Sequence, residues 1–167
     1  MRFLSKLALV ALLALGLGSM SQAQGLTNPL LPVQGTKEVF LRGNLQFEPD
    51  DFFFIEAGYG PFLSSNLQVG GSLSFTDPGE GDNLTTLGLF ANYHFPGASQ
   101  VLPYVGAFIG FSDAGDGSST AYGLQGGVKY FINSSVAATA QLVYRDFDES
   151  GADAEVGISF GLATYLR

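Results

Sequence analysis

Eight stretches of this chain alternate apolar and polar side chains with a period of two, each about nine to twelve residues long. That period belongs to extended backbone, whose successive side chains point to opposite faces. Strands are expected at 37–47, 52–60, 66–75, 84–95, 103–111, 120–131, 135–145 and 155–165. One face collects Val39, Leu41, Ile55, Leu73, Leu87, Leu89, Ile109, Leu124, Leu142, Ile158 and Phe160. The other collects Arg42, Asn44, Gln46, Glu56, Gln68, Asn92, Gln125, Lys129, Gln141, Arg145 and Glu155, with many glycines between them.

The charges decide which face meets water. A soluble barrel or sandwich carries Lys and Glu over its outer surface. Here the strands hold only Lys37, Glu38, Arg42, Glu56, Lys129, Arg145 and Glu155, and all but Lys37 share the polar face. Eight uncharged apolar faces would form a band far larger than soluble monomers expose. In a bilayer the same band matches its solvent, and about 9–11 tilted residues suffice to cross. A soluble lipocalin-type barrel, with apolar residues inside, would need many more outward charges. The expected fold is therefore an all-β, eight-stranded antiparallel up-and-down transmembrane barrel. Its first and last strands must pair, because lipid does not satisfy a free sheet edge.

The opening MRFLSKLALVALLALGLGSMSQAQG supports export. Arg2 and Lys6 precede an apolar run from Leu7 to Leu17, and Ser21-Gln22-Ala23 suits a signal peptidase. That run is shorter than the roughly 20 residues of a spanning helix. Residues 1–23 are read as a Sec-type signal peptide, 24–35 as a periplasmic leader and 36–167 as the barrel domain. Seven Lys/Arg less Arg2 and Lys6 leave five against fifteen Asp/Glu, a mature charge of −10. That balance excludes nucleic acid as a partner. There is no Cys, hence no disulfide or thiolate metal site.

The connections alternate strictly in character. Segments 48–51, 77–82, 113–119 and 146–153 are acidic, whereas 60–65, 96–102 and 132–135 carry no charge. Alternation of this kind fits opposite ends of an up-and-down barrel, with the acidic set outside and both termini periplasmic. The acidic set comprises Glu48, Asp50, Asp51, Asp77, Glu80, Asp82, Asp113, Asp116, Asp146, Asp148, Glu149 and Asp153. Expected partners are the bilayer, lipopolysaccharide bridged by divalent cations, and the outer-membrane assembly machinery, with the protein a monomer. Aromatic girdles are expected at Phe47, Phe53, Phe75, Phe111, Tyr122 and Tyr144 at one rim, and Tyr59, Tyr93, Phe95 and Tyr130 at the other.

The passages LPYVGAFIG (102–110), YGLQGGVKYFINSSVAATAQLVYRDF (122–147) and EVGISFGLATY (155–165) resemble the small outer-membrane β-barrels of the OmpA/OmpX-like family. The resemblance spans about 36–167 and implies the fold and the bacterial outer membrane, while leaving activity open. The chain departs from the family in ending Tyr165-Leu166-Arg167 rather than in an aromatic residue, and a peptidoglycan-binding domain after the barrel is not expected.

Inside a narrow barrel, Arg42, Asn44, Glu56, Lys129, Gln141, Arg145 and Glu155 are expected to form a polar network filling the lumen. Arg145 should lie opposite Glu155, and Asn44 opposite Glu56. Asp146, Asp148, Ser150 and Gly151 echo a calcium loop, but Gly157 stands where a bidentate Glu belongs. His94, the only histidine, has no acidic sequence neighbour to orient it for catalysis. No catalytic, cofactor or metal site is expected, and no lipid-modifying enzyme. The expected role is structural or surface-interacting, with a narrow porin-like channel for ions or small solutes as the alternative.

Overall fold

A computed structural model of the chain describes residues 30–46, 52–77, 83–96, 99–114, 117–148 and 154–167. Residues 1–29, read from the sequence as a signal peptide and most of a leader, fall outside this set. Eight strands follow one another: β1 (Lys37–Gln46), β2 (Phe52–Pro61), β3 (Leu67–Asp77), β4 (Leu84–His94), β5 (Val101–Ala114), β6 (Gly117–Asn133), β7 (Val136–Phe147) and β8 (Glu155–Leu166). Each pairs antiparallel with the next, and β1 pairs with β8 to close the barrel. Leu30, Arg167 and the described uncharged turns share one end, hereafter the terminus end; the strand ends that lead into the acidic segments share the other, hereafter the loop end.

The alternation holds strand by strand. Leu41, Leu73, Leu87, Leu89, Ile158 and Phe160 are exposed on the outer surface, while Phe40, Arg42, Gln68, Phe90, Asn92 and Gln125 are buried inside. Girdle residues Phe53, Phe75, Phe111 and Tyr122 at one rim, and Tyr59, Tyr93, Phe95 and Tyr130 at the other, are exposed. Tyr144 differs: it shares a face with exposed Leu124 and Val156, its rung partners, yet is covered. Inward glycines make room for inward rings. A Cβ at Gly58 would collide with the Phe40 ring, its rung partner.

Several expected connections prove to be ladder or packing. β5 and β6 continue through the rungs Ser112↔Ser119, Asp113↔Ser118 and Ala114↔Gly117, so most of 113–119 is strand. Backbone pairing does not require apolar side chains, which is why polarity misplaced these ends. Val101 and Leu102 belong to β5, and Leu102 is fully buried. Phe62, expected in a turn, folds over the bore and is also buried.

The described segment ahead of β1 does not stand apart from the barrel. Gly35 N–H donates to Phe62 O at 2.9 Å and Phe62 N–H to Thr36 O at 2.8 Å. Gly35 has φ +89°, a left-handed conformation that favours glycine and turns the chain into β1. Leu31 thereby joins Phe40, Phe62, Phe90, Leu102, Phe131, Ala137, Ala163 and Tyr165 in one apolar cluster. Side chains from every direction meet there because an eight-stranded bore is about as wide as the side chains it holds.

Candidate functional site in the barrel lumen

The lumen is layered along its axis. At the terminus end lies the apolar cluster, where Leu102, Phe131, Ala137 and Ala163 have no solvent-exposed surface. Against it sits an ion pair: Lys129 Nζ lies 2.5 Å from Glu38 Oε2, with both side chains at least 96% buried. Lys129 also donates to Gln68 Oε1 at 3.2 Å, and its ammonium stands 5.0 Å from the Tyr104 ring centre and 5.7 Å from that of Phe62. A buried ammonium is tolerated when its protons find an anion, a carbonyl and a π-face in this way.

The network continues around the wall. Asn92 Nδ2 donates to Gln68 Oε1 at 3.4 Å, and Gln125 Nε2 to Asn92 Oδ1 at 2.6 Å. Gln68 Nε2 donates to Gly60 O at 3.2 Å. A second branch centres on Gln141 Oε1, which accepts from the Tyr104 hydroxyl at 2.7 Å and from the Arg42 guanidinium. Arg42 Nε lies 3.4 Å from Glu56 Oε2, and the guanidinium stacks 3.8 Å above the Phe40 ring.

Of the expected network, Arg42, Glu56, Lys129 and Gln141 come together in the bore. Asn44 does not meet Glu56 as expected: its rung partner is Phe54, and Arg42 stands opposite Glu56. A two-residue slip preserves the inward face, so alternation alone could not tell these registers apart. Arg145 and Glu155 do share a rung, but their side chains are 26% and 61% exposed and 3.8 Å apart. They form a loose pair at the loop end, not part of the buried layer. Glu38, Gln68, Asn92 and Gln125 complete the network; alternation placed all four inward without revealing their heights. Tyr104 shares the parity of Gly106 and Phe108, a signal that was legible.

Above the Gln141 layer, toward the loop end, a cavity of about 450 Å³ opens, lined by Phe54, Phe90, Phe108 and a series of serines and glycines. His94 is fully buried at the other end, its ring 4.9 Å from Phe62 and 5.4 Å from Tyr104. Neither ring nitrogen has a hydrogen-bond partner among the described residues, so no carboxylate orients it.

Among the acidic residues, Asp77 lies at the end of β3, Asp113 on β5 and Asp146 on β7, with Asp148 just beyond and exposed. Asp146 Oδ1 accepts from Phe147 N–H at 2.9 Å, and Asp148 N–H donates to Thr120 O at 2.9 Å. Glu48, Asp50, Asp51, Glu80, Asp82, Asp116, Glu149 and Asp153 lie outside the described residues, as do Ser150 and Gly151. Among the described residues, no three His, Asp or Glu side chains converge to hold a metal.

No protein-family profile matches the chain, and no curated protein sequence does. Solved structures do. The N-terminal β-barrel domain of Pseudomonas aeruginosa OprF superposes with a TM-score of 0.63 at 20% identity, over 81% of this chain and 100% of that one. Neisserial surface protein A gives 0.54 at 19% identity, over 78% and 91%. A barrel from work on de novo design of transmembrane β-barrels gives 0.58 at 16%, over 81% and 99%. The chain thus has the fold of the small eight-stranded outer-membrane β-barrels. That a designed barrel fits between two natural ones ties the likeness to barrel geometry.

Proposed function

We propose that this protein is a non-enzymatic bacterial outer-membrane barrel, structural or surface-interacting in role, whose bore is blocked in its periplasmic half. The observation that carries this reading is the Lys129–Glu38 layer backed by the cluster from Leu31 to Tyr165. An ion crossing there would have to displace a buried pair and then pass close-packed apolar side chains, where it would be desolvated. In this reading the apolar outer face meets acyl chains, and the acidic loop end meets lipopolysaccharide and its divalent cations. The reading makes the protein a monomer delivered by the outer-membrane assembly machinery. His94, packed between the Phe62 and Tyr104 rings, is read as part of the packing at the terminus end.

Planar-bilayer recording of the full chain tests the block. The expected result is silence, and Leu102→Gly combined with Phe131→Gly should open a measurable conductance. A steady current through the unaltered protein, abolished by substitution of Lys129, would overturn the block and favour a narrow channel.

A further inference from the structure

The two strands of the β4–β5 hairpin present the same order of side chains to the bore. β4 reads Thr86-Leu87-Gly88-Leu89-Phe90, and β5, taken backwards, reads Ser112-Phe111-Gly110-Ile109-Phe108. The rungs match them: Thr86↔Ser112, Gly88↔Gly110 and Phe90↔Phe108. Three successive inward rungs are therefore hydroxyl against hydroxyl, glycine against glycine and ring against ring, stepping from the loop end toward the middle of the bore. At about 3.4 Å per residue the glycine rung lies about 7 Å from each of the other two. It leaves a recess with a polar upper lip and an aromatic floor, and all six residues border the cavity of about 450 Å³.

The recess continues onto β3. Ser74 is the rung partner of Thr86 and Ser72 that of Gly88, so Ser74, Thr86 and Ser112 form one row of hydroxyls across three strands. Thr86 Oγ1 and Ser112 Oγ are 2.8 Å apart. The glycines give this row its room: a Cβ at Gly88 would come 2.8 Å from Ser72 Oγ, and one at Gly110 would come 2.8 Å from Thr86 Cγ2. The Ser72 and Ser74 hydroxyls border the cavity without a hydrogen-bond partner among the described residues. The terminus half of the bore is built differently, from long amides and charges that bond to one another. Short hydroxyls beside phenyl rings keep a space open instead, and water alone would leave those rings wetted.

We propose that this recess binds one ring of a neutral sugar, with its C–H face on Phe90 and Phe108 and its hydroxyls paired to Ser72, Ser74 and Thr86. A pyranose carries both kinds of surface, an apolar face of C–H bonds and a rim of groups that donate and accept. Hydroxyl side chains suit that rim because each can do either. Charge selects a neutral ligand. The two carboxylates that border the cavity are already matched, Glu56 Oε2 lying 3.4 Å from Arg42 Nε and Glu155 Oε2 3.8 Å from Arg145 Nη1. A charged ligand would have to separate one of these pairs, whereas a polyol can donate to the remaining lone pairs and leave both intact. The volume lies within the roughly 300–1,000 Å³ of small-molecule sites. The ring can belong to a free saccharide or to the head of a glycolipid. Binding there needs no passage through the bore, so it stands whether or not the bore conducts.

The test uses the full chain in phosphatidylcholine nanodiscs. Calorimetric titration with maltose examines the free saccharide, and native mass spectrometry of the barrel released from discs containing monoglucosyl diacylglycerol examines the glycolipid. Heat of binding, or a retained glycolipid adduct, is the expected result. S74A/T86V deletes two inward hydroxyls at nearly constant volume and should weaken binding at least about tenfold. Thr85→Val, which deletes the outward hydroxyl one residue along β4, should leave it unchanged. Phe108→Leu, which removes half of the aromatic floor but stays apolar, should also weaken it. Sodium gluconate, which adds a carboxylate to a comparable set of hydroxyls, should give no heat. Binding of either sugar that S74A/T86V abolishes supports the recess and identifies the source. Failure of both sugars to bind, or binding that is equal in S74A/T86V and the unaltered chain, would overturn the site. Gluconate binding as tightly as maltose would overturn the choice of a neutral ligand.

Discussion

Two ion pairs of like chemistry sit at different depths in this barrel, and removing one partner from each should cost very different amounts. Lys129 and Glu38 are 2.5 Å apart and at least 96% buried. At an effective dielectric of 20 their attraction is about 7 kcal/mol, most of it offset by desolvation of the two ions. Lys129→Met keeps the volume but leaves Glu38 charged and unpaired among Tyr165, Gln68 and Tyr104. The expected loss is about 3–5 kcal/mol. Replacing both, as in E38L/K129M, removes both desolvation penalties and should recover most of that loss. Arg145→Ala, by contrast, breaks a 3.8 Å pair whose Glu155 is 61% exposed. Water takes over its solvation, and the expected loss is below about 1 kcal/mol. Reversible urea unfolding of the barrel in lipid vesicles, followed by tyrosine fluorescence, measures all three. A Lys129→Met loss below about 1 kcal/mol, or a double variant no better than the single, would refute the assignment of a desolvated pair.

The outer face should reject charge: Leu89→Arg, near the middle of β4, should destabilise the folded barrel by about 2–4 kcal/mol in the same vesicle assay, and an unchanged protein would reverse the inside-out assignment. Gly58→Ala should cost about 1–3 kcal/mol by forcing the Phe40 ring from its seat, and adding Phe40→Leu should relieve part of that cost, as shown by a double-mutant cycle of unfolding free energies.

Alternation is a local property of extended backbone, so the sequence alone determined strand number, the facing of each side chain and the apolar outer band. Leu87 and Arg42 could be sorted by reading two residues either way. The same reading put Glu38, Gln68, Asn92 and Gln125 inside. It could not choose between Arg42 and Asn44 as the partner of Glu56, because sliding one strand by two residues keeps every facing the same. Nor could it bring Glu38 of β1 to Lys129 of β6, strands that share no ladder and meet only across the bore. Phe62 and Leu102 were concealed by lying in segments that read as turns.

Height along the axis depends on how every hairpin is staggered and how the last strand finds the first, which no single stretch encodes. Only the tertiary structure therefore decided which inward residues share a layer and where the apolar floor lies. It alone placed the point, after Gly43↔Phe160, at which the closing ladder stops. Facing follows from bonds within a strand; stagger and closure follow from the sum of all eight.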